Sequence, residues 1–360
     1  MDLYIDREEL IRALARVQGI VERRTTNLAL AHVLVSAKDD NLRMTATDTM
    51  VALIADYTCR VETEGELSVD AQSFYQVARS LPEATVHLYK TDNNRIAIEC
   101  GRARFHLVCM DAEEFPPLPS RDDQATLHLP GTGLRRMIEE TIFSISPDDN
   151  RYGLNGAHLE DTTADDGAAR LRVVTTDGSR LSWSEADYEG EFNMGGRMLL
   201  PRKALLEVRR LCNADESDWT VAFGERSAVF STVDVTLMTR LVDGEFPDYR
   251  QVVPAEGSRQ VVVNRSTLVD ALKRVAIVAS DRNHSVRFSF EADRLLLQAE
   301  NVDLGDAHEE VPAELQGEPL TTGFNVRYFQ DILSATSGDR LRLDMGEPLD
   351  PCVVRIVDRP

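Results

Sequence analysis

Three times along the chain a short apolar strand runs straight into an amphipathic helix, and this recurrence constrains the fold more than any other feature. The copy from Met198 to Cys212 (MLLPRKALLEVRRLC) is the clearest. Pro201, with its fixed φ, suits the first helical turn, and Ala204, Leu205, Val208, Leu211 and Cys212 recur at helical spacing on one face. Lys203, Glu207 and Arg210 fall on another, solvated face, flanked by Arg202 and Arg209. Val69 to Leu81 (VDAQSFYQVARSL) turns Phe74, Val77, Ala78 and Leu81 inward, and Phe324 to Ser334 (FNVRYFQDILS) does the same with Tyr328, Phe329, Ile332 and Leu333.

A second helix of the same build precedes each unit. Asp6 to Gln18 offers Asp6 as an N-cap with Glu9 three residues on, a capping-box pattern, and places Leu10, Leu14 and Val17 on one face. Pro130 to Ser144 does this with Leu134, Met137 and Ile138, and Asn264 to Ser280 with Leu268, Leu272 and Val275. Each third of the chain therefore holds two strand-helix units, six helices in all, with alternating segments between them that read as antiparallel strands. Leu42 to Ala55 matches Leu171 to Ser184 through Thr47-Asp48 and Thr176-Asp177, roughly 130 residues apart, which is one domain's length. Leu295 to Asp306 matches more weakly.

The first two thirds end alike, in Glu114-Phe115-Pro116 and Glu245-Phe246-Pro247. These exits and the polar links SRDDQ (120 to 124) and AEGSR (255 to 259) set domain boundaries at 1–121, 125–254 and 256–360. The fold class expected is α+β, with two helices packed on a curved antiparallel sheet in each of three repeated domains. Asp161 to Gly167 (DTTADDG) reads as an acidic, solvated hairpin tip.

Composition then narrows the function. No apolar run approaches the ~18 residues of a membrane span, and the start MDLYIDREEL lacks the features of an export signal, so a cytoplasmic protein with no membrane partner is expected. The five cysteines are odd in number and scattered, which favours neither disulfides nor a metal site. A net charge of -21 argues against nucleic acid as a partner, yet net charge is a sum. The helix faces opposite the core hold Arg12, Arg16, Arg79, Arg135, Arg136, Arg202, Lys203, Arg209, Arg210, Lys273, Arg274 and Arg327, diluted by a few carboxylates. If six such helices line the concave side of an arc, two chains joined head to tail close a ring. Duplex DNA then threads it, touched through phosphates without base reading.

Catalysis finds little support. Asp148, Asp149 and Asp177 sit where turns favour Asp, without a His at ligand spacing. Gly131-Thr132-Gly133 lacks the Gly-Lys-Ser/Thr of a phosphate loop. No cofactor or metal is expected.

Over essentially its whole length the chain resembles the bacterial sliding clamps, the beta subunit of DNA polymerase III. The resemblance rests on ATDTMVAL, SLPE, GRARFHL, the EFPPLP exit, RYGLNG, TTDGSRL, LLPRKALLEV, LVDGEFPDYRQVVP and FNVRYFQDIL, in the family's order. It implies a ring homodimer of three-domain chains that slides on DNA and confers processivity on the replicative polymerase. It also implies a non-catalytic subunit, although the family is classed with the DNA-directed DNA polymerases, which are nucleotidyltransferases. The partners implied are duplex DNA, a second copy of the chain, the clamp loader complex, the polymerase III alpha subunit, and other polymerases or repair proteins. A specialised paralogue serving repair or antibiotic resistance is the alternative.

The same resemblance assigns residues. A partner-peptide pocket falls on Leu154, Thr176, Gly178, Ser179, Arg180, Leu181, Pro247, Gln251 and Val252, with the tail strand Val353, Val354, Arg355, Ile356 and Val357. DNA contact falls on Arg24, Tyr152, Arg202 and Lys203, and the subunit seam on Phe105 and Leu107 against Ile277 and Val278. The chain departs from the family at Ser179, where His is frequent, and at Asp148 and Gly153, where polar and aromatic residues are more usual. Its tail also lacks the common Met-Pro-Met-Arg-Leu run, which predicts an altered ranking of partner peptides.

Overall fold

The computed structural model describes residues 1–22, 24–119, 125–148, 150–151, 153–164, 167–191, 198–212, 217–254, 257–279 and 284–357. Of the positions singled out above, Asp149, Tyr152, Asp165, Asp166, Ser280, the link 120–124, residues 255–256 and residues 358–360 lie outside the described residues. The chain divides into two compact units, Met1–Glu245 and Phe246–Pro360.

Six helices are present among the described residues: α1 (Arg7–Val17), α2 (Ala71–Ser80), α3 (Gly131–Thr141), α4 (Arg202–Leu211), α5 (Arg265–Val275) and α6 (Val326–Ala335). Each follows a strand directly, as the repeat predicts. Side-chain caps start four of them: Asp6, Asp70, Asn264 and Asn325 accept backbone amides of the first turn, satisfying donors that the helix cannot. Only half of the expected capping box forms at Asp6, because the Glu9 carboxylate turns to Arg12 instead. Pro130 and Pro201 stand at the N-caps of α3 and α4, so Pro201 precedes the first helical turn rather than sitting in it. Helix α5 stops at Val275, short of the expected Ser280.

Within the first unit a fourteen-stranded antiparallel sheet is accompanied by a four-stranded one, and the second unit contains a seven-stranded sheet. The large sheet passes from the first third of the chain to the second where Val51–Thr58 pairs with Val235–Arg240, Val235 lying opposite Ala55 and Thr239 opposite Val51. Backbone hydrogen bonds therefore join the first two repeats. Helices pack in pairs, α1 on α2, α3 on α4 and α5 on α6. Their apolar stripes, including Leu10, Leu14, Phe74, Ala78, Met137, Ile138, Leu205 and Val208, are buried in the first unit's core, where truncating one Leu to Ala costs ~2–5 kcal/mol. The second unit has its own core, in which Phe288 meets the rings of Phe290, Phe324 and Phe329.

The α4 polar face departs from expectation. Glu207 is only 8% exposed. Its carboxylate occupies the space above Gly19, where a Cβ would lie 2.2 Å from Oε1. Arg210 pairs with Glu207 and donates to the carbonyls of Ala15 and Arg16 at the C-terminal end of α1. Those carbonyls have no partner within their own helix, and a guanidinium satisfies them. Periodicity placed these side chains on the solvated face because a helical wheel cannot see a neighbouring repeat.

Candidate functional site

The Thr-Asp match between the first two repeats is a matched turn. Thr176 Oγ1 donates to the Arg180 carbonyl and accepts from the Gly178 amide, while Asp177 Oδ1 accepts from the amides of Ser179 and Arg180. Thr47 and Asp48 repeat this pattern with Val51, Thr49 and Met50. Asn301 completes the series in the weaker third copy, accepting from Asp303 and Leu304. The second carboxylate oxygen of each Asp takes a cation, Arg180 Nε at 2.9 Å for Asp177 and the Lys203 ammonium for Asp48.

In the first unit the expected peptide-binding residues are organised around the Asp177 turn. Gly178, at φ 88°, supplies its left-handed step. Arg151 Nη1 donates to the Asp177 carbonyl at 2.7 Å, Arg180 Nη2 donates to the Phe143 carbonyl at 2.7 Å, and Ser144 bonds Ser182 at 2.8 Å. These contacts fix the loop carrying Leu154 beside the turn carrying Thr176, Ser179 and Leu181. Arg180 is thereby a brace for the turn, with its guanidinium over the Phe143 ring, while Ser179 and Gly178 stand exposed at the apex. Gly153 follows from packing: at φ 84° a Cβ would lie 2.3 Å from the Glu245 carbonyl oxygen, so no side chain fits.

In the second unit Pro247, Gln251 and Val252 are exposed around the short turn Tyr249–Gln251, which Asp248 caps. Among the described residues, the tail strand Val353–Ile356 is the last strand of its sheet and pairs only with Arg340–Met345.

The expected DNA-facing residues separate into two kinds. Arg24 and Arg202 are exposed and meet no partner among the described residues, like Lys273 and Arg327 on the helices and the half-buried Arg209. Lys203 is committed: its ammonium is held by Asp48 and by the Ile20 carbonyl at 2.9 Å. The expected seam residues lie near unpaired backbone. Phe105 and Leu107 belong to strand Ala103–Met110, whose second edge pairs, among the described residues, only at Cys109 and Met110. Ile277 is 73% exposed in the turn after α5, and Val278 is half-buried. Asp148 and Asp177, weighed above as metal ligands, accept backbone amides instead, and among the described residues no group of His, Cys, Asp and Glu is arranged to hold a metal ion.

The arrangement has clear relatives. Profiles of the DNA polymerase III beta subunit match the chain three times, as the N-terminal domain over residues 1–119, the central domain over 128–248 and the C-terminal domain over 250–359. The chain belongs to the DNA polymerase III beta subunit family. The beta sliding clamp of Caulobacter vibrioides is 32% identical over 98% of this chain and 95% of its own length. That of Pseudomonas putida is 33% identical over 96% and 94%. Among solved structures, the DnaN sliding clamp of Bartonella birtlesii bound to griselimycin superposes with a TM-score of 0.94 at 31% identity, covering 100% of this chain and 96% of that one. A Caulobacter crescentus beta sliding clamp gives 0.92 at 32%, with 100% and 96% covered. This chain is thus a three-domain clamp of the α+β class, a processivity subunit rather than an enzyme. The motifs left two features of the clamp unseen: the Asp48–Lys203 tie joins residues far apart in sequence, and the Asp344 cluster behind the tail strand is set by strand register.

Proposed function

We propose that this clamp works as a head-to-tail ring homodimer that encircles duplex DNA, slides along it, and tethers the replicative polymerase and other clamp-binding proteins. The match of all three domains to one family, in order and over nearly the full chain, carries this reading. The domains run 1–121, 125–254 and 256–360. Arg24, Arg202 and Tyr152 touch phosphates without reading sequence, while Lys203 stiffens the α4 support. Such contacts are weak and salt-sensitive, which suits sliding when topology provides retention. Phe105 and Leu107 meet Ile277 and Val278 of a second copy in a small apolar seam ringed by polar groups. Leu154, Thr176 and the 178–181 turn take apolar anchors of an extended peptide, as do Pro247, Gln251, Val252 and the tail residues Val353 to Val357. The polymerase III alpha subunit, the clamp loader complex and repair proteins are the partners, met in the cytoplasm.

The test is topological. Loaded on nicked circular DNA, the protein stays bound at a salt concentration that strips ordinary DNA-binding proteins, and it is released when the circle is linearised. Equal retention on both forms overturns the ring.

A further inference from the structure

Strand Val353–Ile356 ends its sheet with one edge unpaired among the described residues. The Val357 amide bonds the Arg340 carbonyl. By antiparallel alternation, Val353 and Arg355 then also point their backbone groups at the neighbouring strand, while the amides and carbonyls of Val354 and Ile356 face outward. The side chains alternate as well. Val354 and Ile356 pack on the core, leaving Val353, Arg355 and Val357 on the outer face.

Arg355 sits directly opposite Arg342, a like-charge pair that is unfavourable unless compensated. Asp344, 3% exposed, compensates it: Oδ2 accepts from Arg342 Nη2 and from Arg355 Nε, each at 3.1 Å. One carboxylate thus serves two guanidinium groups and leaves a surplus positive charge at the sheet edge of a chain whose net charge is -21. Only Nε of Arg355 is used. Its two terminal nitrogens have no partner among the described residues, and its side chain is 41% exposed.

We propose that this edge receives an extended, acidic partner segment by strand addition, with Arg355 selecting a carboxylate. The segment pairs with the outward backbone groups of Val354 and Ile356, and its Asp or Glu docks on the free Arg355 fork, the geometry in which guanidinium outperforms ammonium. Val353 and Val357 flank Arg355 on the same face, so the matching pattern is apolar-x-acidic-x-apolar. The inference rests on the reading that the tail strand contributes to partner-peptide binding, and it makes Arg355 the specificity-determining residue there.

Two synthetic peptides with Leu anchors, identical except for Glu or Gln at the central position, are titrated against the full-length protein. The Glu peptide is expected to bind about tenfold more tightly at low salt, as one charge-assisted contact predicts, and the gap narrows as salt rises. In Arg355→Gln, which leaves Asp344 paired with Arg342, the two peptides bind alike, and Arg355→Lys recovers part of the preference. Equal binding of both peptides by the native chain, or a preference that survives Arg355→Gln, overturns the inference while leaving the tail-strand reading intact. If neither peptide binds, both readings fall.

Discussion

Lys203, on helix α4 of the second repeat, places its ammonium on the Asp48 carboxylate in the Thr-Asp turn of the first. Asp48 is buried, and its other oxygen accepts the amides of Met50 and Val51. Lys203→Met therefore leaves a desolvated carboxylate without its counter-charge. Breaking a fully buried pair costs ~3–5 kcal/mol, and because Lys203 is 38% exposed the expected loss is smaller, about 2 kcal/mol. Denaturant unfolding measures it. A loss below about 0.5 kcal/mol marks the pair as an ordinary surface contact, and neutralising Asp48 in the same chain should restore part of the loss.

The matched turns predict an unusual sign for a glycine substitution. Thr49 sits at φ 75°, where its counterpart in the second repeat, Gly178, sits at φ 88°. A β-branched residue is strained in that region. Thr49→Gly should raise stability by about 0.5–1 kcal/mol, whereas most changes to Gly lower it. Thermal unfolding decides the matter, and a fall of similar size removes the claim of strain.

Periodicity made the six helices legible, since Leu10, Leu205 and Leu272 each sit on a stripe that only a buried helical face explains. The Thr-Asp pairs likewise announced repeated turns, because their chemistry is local. What joins the repeats was not legible. Glu207 reads as a solvated residue by spacing, and only the approach of Gly19 from almost two hundred residues away shows why it is buried. The Arg342–Asp344–Arg355 cluster was hidden for a different reason, as the register of two neighbouring strands brings its members together. The seam residues, Arg24 and Tyr152 came from family likeness alone, since an Ile277 or an Arg24 reads the same in any solvated stretch.

Buried thiols give the protein a weak alkaline limit. Burial pushes Cys59 and Cys109, whose ordinary value is 9.0, up to about 11. In both the folded value lies above the unfolded one, so their contribution to stability is whole below pH 9.0 and is lost as pH climbs towards about 11, where the unfolded chain sheds protons that the folded chain keeps. Unfolding midpoints should hold steady through neutral pH and fall above it. In the Cys59→Ala, Cys109→Ala double variant the fall should be shallower, and an unchanged slope assigns it to other groups.

The subunit seam can be separated from the fold of either unit. Ile277 stands 73% exposed in the turn that follows α5, so in a lone chain its replacement by a charge removes almost no buried surface. In the proposed ring the same side chain is covered by a second copy, and an unpaired carboxylate there is desolvated at a cost that association must bear. Ile277→Asp should weaken dimerisation by about a hundredfold or more, to monomers at micromolar concentration, while the unfolding free energy stays within about 0.5 kcal/mol of the parent. Sedimentation velocity reads the first quantity and denaturant titration the second. A dimeric profile counts against this seam, whereas monomers with an intact fold that also fail to remain on nicked circles tie the apolar patch to retention on DNA.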